Sequence, residues 1–277
     1  MPIQTVKTAL GSIEYSIKGK GRTILFIHGG HANAQETIAH QGFDLEKYQL
    51  ITPSRPGYGD TPLDQWHSPI DQAELLISLL DHLKIGEVAV YGISAGGYLA
   101  IALAAQNPKR VSQLILASAV SKDWLHKQGK VYKMARLLFH PKREAFVWSL
   151  VRFMGSIFPT LLAKNFFKEF SHSPDKVVRT EDVKQLIQSF RYYRSKEGFM
   201  NDIEQSIAPE YLRKIICPTL ILHSEYDVAV PLEQAQFSHK NIPHSLFHPL
   251  KNQWGHLLWL GADYPETFKI INSFLKK

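Results

Sequence analysis

One stretch limits the fold more than any other: Glu87-Val88-Ala89-Val90-Tyr91, then Gly92-Ile93-Ser94-Ala95-Gly96-Gly97, then an alanine-rich run to Gln106. The first part reads as a buried strand and the last as a helix. The middle reads G-x-S-x-G, with small residues on both sides of one serine. A strand that turns sharply into a helix crowds its own backbone, so glycine is required where a side chain would collide. Such a turn holds the Ser94 hydroxyl clear of the sheet, at the positive end of a helix. The five letters alone are a weak signal. The strand before and the helix after make it specific.

The rest of the chain repeats that alternation. Residues 3–9 and 12–17 alternate apolar and polar around Leu10-Gly11 and read as an antiparallel hairpin. Thr23 to Ile27 is a continuous apolar run, as in a strand covered on both faces. It ends in His28-Gly29-Gly30-His31, after which Ala32 to Gln41 is predicted to form a short helix. Further strands are predicted at 48–52, 111–117, 218–222 and 245–248. Ser68-Pro69-Ile70-Asp71 opens a helix with a capping serine, a proline in the first turn and an early aspartate. Helices are also predicted at 232–240 and 265–275. Buried strands alternating with amphipathic helices imply an α/β fold, with a mostly parallel sheet flanked by helices on both sides.

The alternation stops between Ser121 and about Glu210, where helix-like segments occur without a buried strand. This gives a core in two parts, 1–120 and 211–277, with a helical piece at 121–210 between them. Residues 121–200 hold 16 Lys and Arg against 7 Asp and Glu, a net +9, while the whole chain of 277 residues carries +7. The piece is also aromatic, from Phe146 and Trp148 through Phe153 and Phe158 to Phe166, Phe167 and Phe170. The expectation is that these helices bury their apolar face on the body and leave the lysines in water. The sharper readings are an apolar substrate pocket roofed by the rings, or a basic surface that touches a membrane.

The net positive charge comes without any nucleic-acid-binding signature, so no nucleic-acid partner is expected. A single cysteine, Cys217, excludes an internal disulfide framework and a cysteine-based zinc site. The first ten residues lack the basic start and apolar stretch of a secretion signal, and the expected location is the cytoplasm.

A serine hydroxyl needs a base to take its proton, and the base needs a carboxylate to orient it. Both belong on loops at the carboxyl ends of the strands. The predicted strands nominate Asp227, in Asp227-Val228-Ala229-Val230-Pro231, and His256, in Gln253-Trp254-Gly255-His256. Asp123, just past the 111–117 strand, is the alternative carboxylate. His244 and His248 are the alternative bases.

At this point the chain resembles the α/β-hydrolase fold family over nearly its whole length. Gly92-Ile93-Ser94-Ala95-Gly96 is similar to that family's nucleophile elbow. His28-Gly29-Gly30 is similar to its oxyanion loop, and Arg55-Pro56-Gly57-Tyr58-Gly59 to its Arg-x-Gly-x-Gly loop. The segments at 227–231 and 255–256 are similar to its acid and histidine loops. The resemblance implies an eight-stranded sheet whose second strand is antiparallel, with a lid after the sixth. It implies acyl transfer through Ser94, His256 and Asp227, with the backbone N–H groups of Gly30 and Ala95 receiving the oxyanion. No metal or organic cofactor is needed. His31 and Trp254 are expected to line the substrate pocket.

The expected substrate is a small, largely apolar carboxylic ester, lactone or thioester. C–C bond hydrolysis or perhydrolysis on the same three residues is an alternative, as is a ligand sensor that keeps the fold. Serine at 94 argues against relatives that form an alkyl ester on an aspartate.

Overall fold

The computed structural model describes residues 2–277. Eight strands form one sheet: β1 (Ile3–Lys7), β2 (Ser12–Lys18), β3 (Arg22–Ile27), β4 (Tyr48–Pro53), β5 (Val88–Ile93), β6 (Val111–Ala117), β7 (Thr219–Ser224) and β8 (Ser245–Leu250). Their order across the sheet is β1-β2-β4-β3-β5-β6-β7-β8. The β1–β2 and β2–β4 pairings are antiparallel, and every later pairing is parallel.

Side chains alternate across a strand, so a strand covered on both faces must be apolar throughout. In β3, Leu25 and Ile27 face one cluster with Val90, Leu114 and Ile221. Helices α1 (Pro69–His82) and α2 (Gly97–Gln106) close that side. Ile24 and Phe26 face the opposite cluster, with Tyr91, Ile115 and Leu222. Helix α10 (Tyr264–Leu275) covers it with Ile271 and Phe274. Helix α1 begins as its sequence requires: the Asp71 N–H donates to Ser68 Oγ at 3.1 Å, and Pro69 takes the first turn.

Between β6 and β7 lie α3 (Lys130–Leu138), α4 (Glu144–Ile157), α5 (Pro159–Phe170), α6 (Thr180–Phe190), α7 (Gly198–Asp202) and α8 (Pro209–Arg213). The boundary expected at 210 falls inside α8. That helix packs against α2 and against α9 (Glu233–Asn241), both in the core. No helix among the described residues is long and apolar enough to cross a membrane.

The helix expected over 32–41 is absent. That segment is a looped turn with one 3-10 turn at Ile38–His40. Its polar side chains take the backbone donors a helix would use: Asn33 Oδ1 accepts from the Gln35 N–H, and Glu36 Oε1 from those of Thr37 and Ile38, all at 2.8 Å. His31, just before it, sits at φ 67°.

Candidate active site

Strand β5 ends at Ile93, and Ser94 has φ 50°, a left-handed conformation that costs a non-glycine residue about 1–2 kcal/mol. The neighbours enforce it. A Cβ on Gly92 would stand 2.5 Å from the Ala100 Cβ, and one on Gly96 would stand 2.5 Å from the His28 carbonyl oxygen. Only backbone fits at both places, so the chain must turn at Ser94.

The structure brings Ser94, Asp227 and His256 together although 162 positions separate the first from the last. Ser94 Oγ lies 2.9 Å from His256 Nε2, and His256 Nδ1 lies 2.8 Å from Asp227 Oδ2. All three are buried. Asp227 Oδ1 accepts from the Ala229 and Val230 amides at 2.9 Å each. Burial by itself raises the Asp227 pKa. The facing His256 and hydrogen bonds from His223 and His256 outweigh it and bring the value down to about 2. An ionised Asp227 accepts from the Nδ1–H of His256, which leaves the Nε2 lone pair for the serine proton.

His223 is a second imidazole on the same carboxylate. It is fully buried, and its Nε2 lies 2.8 Å from the Val230 carbonyl and 3.3 Å from Asp227 Oδ2. A carbonyl only accepts, so Nε2 carries the hydrogen and is shared with Asp227. Sequence reading overlooked this residue because it lies inside the β7 run, where it reads as one more strand position.

The insertion holds the histidine loop. The Phe170 carbonyl, at the end of α5, accepts from the His256 N–H at 3.0 Å and from the Val228 N–H at 3.4 Å. The Phe170 ring stacks on the His256 imidazole with centroids 5.9 Å apart.

On the opposite side, His28-Gly29-Gly30 passes beside the serine, and a Cβ on Gly29 would stand 3.0 Å from Ser94 Cβ. Ala95 lies in the first turn of the 3-10 helix Ser94–Gly96, where N–H groups lack partners within the helix. Arg55, fully buried, fixes the loop: its Nε donates to the His28 carbonyl at 2.8 Å and its Nη2 to that of Gly29 at 3.2 Å. Asp202, from α7 in the insertion, pairs with both guanidinium nitrogens at 2.7 Å and accepts from Tyr58 Oη at 2.6 Å. Burial opposes the Arg55 charge, but Asp202 more than offsets it and raises the pKa. His28 Nδ1 meets the Gly29 carbonyl at 2.7 Å while Nε2 accepts from the Arg55 N–H at 3.0 Å. Burial and the Arg55 charge hold that ring neutral, well below the usual histidine range.

His31 lies in an aromatic cluster next to this loop. Its ring centroid is 4.0 Å from Phe199, 4.3 Å from Phe139 and 5.1 Å from Trp148. Its Nδ1 lies 2.7 Å from Ser195 Oγ, which accepts from the Trp148 indole at 2.8 Å. Burial and then Arg55 bring the His31 pKa down to about 3. A Cβ on Gly30 would stand 3.0 Å from the Phe199 ring, so the cluster sits directly on Gly30.

Trp254 is placed differently from expectation. It has no exposed surface and packs edge-on against Phe167 of α5, with centroids 5.1 Å apart, so it lines no space a ligand can enter. Large apolar rings between a loop and a helix serve as packing first, and the sequence position beside His256 does not distinguish the two. Asp123 is exposed, and His244 and His248 lie outside the Ser94–His256–Asp227 contacts. Burial pushes the Cys217 thiol up to about 11, which leaves it protonated. Among the described residues, no three His, Cys, Asp or Glu side chains are grouped to hold a metal ion.

The family described as the alpha/beta hydrolase fold matches residues 22–261. The chain is 38% identical to the uncharacterized hydrolase YcgS of Bacillus subtilis (strain 168), over 99% of its own length and 98% of that protein. Among solved structures, an alpha/beta hydrolase fold protein from Nakamurella multipartita is similar at a TM-score of 0.81 and 25% identity, covering 99% of both chains. An esterase from Exiguobacterium antarcticum shares the fold at a TM-score of 0.70 and 23% identity, with 99% of each chain covered. The chain belongs to the α/β hydrolase fold family and is a hydrolase of that fold.

Proposed function

We propose that the protein is a serine hydrolase that cleaves a small, largely apolar carboxylic ester through an acyl-enzyme. The observation that carries this reading is the continuous contact from Ser94 Oγ to His256 to Asp227, at 2.9 and 2.8 Å, with Ser94 held on a left-handed turn. Ser94 Oγ attacks the ester carbonyl carbon while His256 Nε2 takes its proton. Asp227 keeps the imidazole in the required tautomer and stabilises the cation that forms. The carbonyl oxygen gains negative charge and is received by the Gly30 and Ala95 amides; one such donor is worth about 3 kcal/mol. The imidazolium then protonates the alkoxide as it leaves. Water, deprotonated by the same histidine, attacks the acyl-enzyme and releases the acid and Ser94.

The aromatic cluster of His31, Phe139, Trp148 and Phe199 over Gly30 supports an apolar acyl or alcohol group. Within this reading the 121–210 helices act as a cap, and His31 borders the pocket in its neutral form.

A fluorophosphonate probe is expected to label the wild-type protein and not Ser94→Ala. Ser94→Ala is expected to lower kcat on p-nitrophenyl esters by about 10⁴-fold or more while circular dichroism stays unchanged. Labelling that survives the substitution overturns the assignment. One turnover followed by retained product would convert the reading to a ligand-binding protein.

A further inference from the structure

The inserted helices are apolar on two sides. On α4, Trp148 is buried beside His31 and Phe190 and Gly155 faces α5 and α6, yet Phe146, Leu150, Phe153 and Ile157 form an outer row at i, i+4, i+7 and i+11. Phe146 is 74% and Phe153 59% exposed. On α5, Ala163 and Phe167 are buried, while Phe158 and Leu161 continue outward from the corner where α4 ends. On α3, Tyr132 and Ala135 are buried while Val131, Met134 and Leu138 are exposed, Val131 at 68%. The inward faces already satisfy the packing of these helices. The outward apolar surface is therefore in excess of what the fold requires, and soluble monomers do not commonly expose so much of it together. This replaces the expectation that the apolar face is buried on the body and only lysines meet water.

The charge around these side chains selects the partner. Residues 130–170 carry eight Lys and Arg and two acids, Glu144 and Glu169. Glu144 is buried and paired with Arg194 at 2.7 Å, so Glu169 is the one acid of this stretch that meets solvent. Two copies docking by this face would bring like charges together, which is unfavourable for an isologous dimer. A peptide partner needs a groove. The exposed residues line neither of the two cavities beside the insertion, one around Glu36 and Tyr193, the other around Asp60 and Arg194. Protruding apolar side chains among lysines and arginines match a surface that is apolar below and anionic above.

We infer that the outer face of α3, α4 and α5 docks on a lipid bilayer bearing anionic headgroups. The helices lie along the surface, with Phe146, Phe153 and Phe158 in the acyl boundary and Lys130, Lys133 and Lys142 among the headgroups. No part of this depends on the hydrolase chemistry, and it is measured without substrate.

The test is co-sedimentation of the full chain with phosphatidylcholine vesicles, with and without about one-third phosphatidylglycerol, at low and raised salt. Binding to the anionic vesicles is expected to exceed that to pure phosphatidylcholine by about tenfold or more, and to weaken with salt. F146S/F153S is expected to lose about tenfold in binding at any salt. K130E/K133E is expected to lose a similar amount at low salt only. Both variants retain wild-type circular dichroism and turnover of a short water-soluble ester. Equal binding to both vesicles, or wild-type binding by F146S/F153S, overturns the inference. So does the absence of binding together with a concentration-dependent dimer that F146S/F153S abolishes, which assigns the face to a second copy of the chain.

Discussion

Nine of the ten residues of α2 are buried, against three of the fourteen in α4, although both helices are rich in apolar side chains. The difference lies in what each helix packs against. Helix α2 is enclosed by β5, β6, α1 and α8, so alanine and glycine are selected for close approach. Helix α4 touches α5 and α6 on one side only and turns its phenylalanines outward. An apolar helix in a chain like this is therefore not evidence of a buried one. In the sheet, apolar content builds the scaffold that aims Ser94; in the insertion, it builds surface.

The contrast would fail if the two regions were independent, and Asp202 tests that most severely. It belongs to the insertion, yet it neutralises Arg55 in the core at 2.7 Å, with both groups fully buried. Asp202→Ala leaves a buried guanidinium unpaired, an error worth about 3–5 kcal/mol. The melting temperature is expected to fall by about 10 °C, with kcat falling as well because Arg55 holds the His28 and Gly29 carbonyls. A melting temperature within a degree of wild type would show that the insertion is a separable layer.

Acid is the second probe, and it acts on the core. His28 and His40 are neutral in the folded chain, His28 well below the usual histidine range and His40 at about 3, chiefly through burial. In the unfolded chain both take protons below about pH 6.5. The unfolded state then binds more protons than the native one, so stability falls as pH drops from 6.5 towards 3. Each ring contributes up to about 1.4 kcal/mol per pH unit. Denaturant titrations from pH 7 to pH 4 would measure this, and His40→Phe, which keeps a ring beside Phe26, is expected to reduce the slope by one proton. An unchanged slope would remove His40 from the account.

His223→Phe examines the far side of the site. It deletes one shared hydrogen bond to the Asp227 carboxylate, of a kind worth about 1.5–3 kcal/mol. We expect kcat to fall about tenfold with KM unchanged. Unaltered kcat would limit His223 to packing. At the small end, Phe146→Ser is expected to change stability by less than about 0.5 kcal/mol, the opposite of what an enclosed phenylalanine would do.

The strands were legible because β3, β5, β6 and β7 are covered on both faces and so are apolar throughout. Ser94 and Asp227 each follow a strand of that kind, whereas His256 follows β8, a partly exposed edge strand, and is marked in the sequence by Gly255 rather than by an apolar run. The helix expected over 32–41 is absent because Asn33 and Glu36 turn back on their own backbone, which the order of residues does not announce. Asp202 left no local mark at all: its partner Arg55 lies 147 positions away, and no motif surrounds it. Trp254 sat in a plausible place for a ligand and turned out to be packing. The aromatic content of 146–170 is plain in the sequence, but content alone does not say which of the rings meet the body and which meet solvent.

One joint has a practical bearing on how such proteins can be altered. A single carbonyl oxygen, that of Phe170, holds the amides on either side of the site, at Val228 and His256. A graft that exchanges the helices for those of a relative must therefore bring its own acceptor to that point and its own carboxylate to Arg55. Without both, the transplant would deliver a new roof over loosened walls.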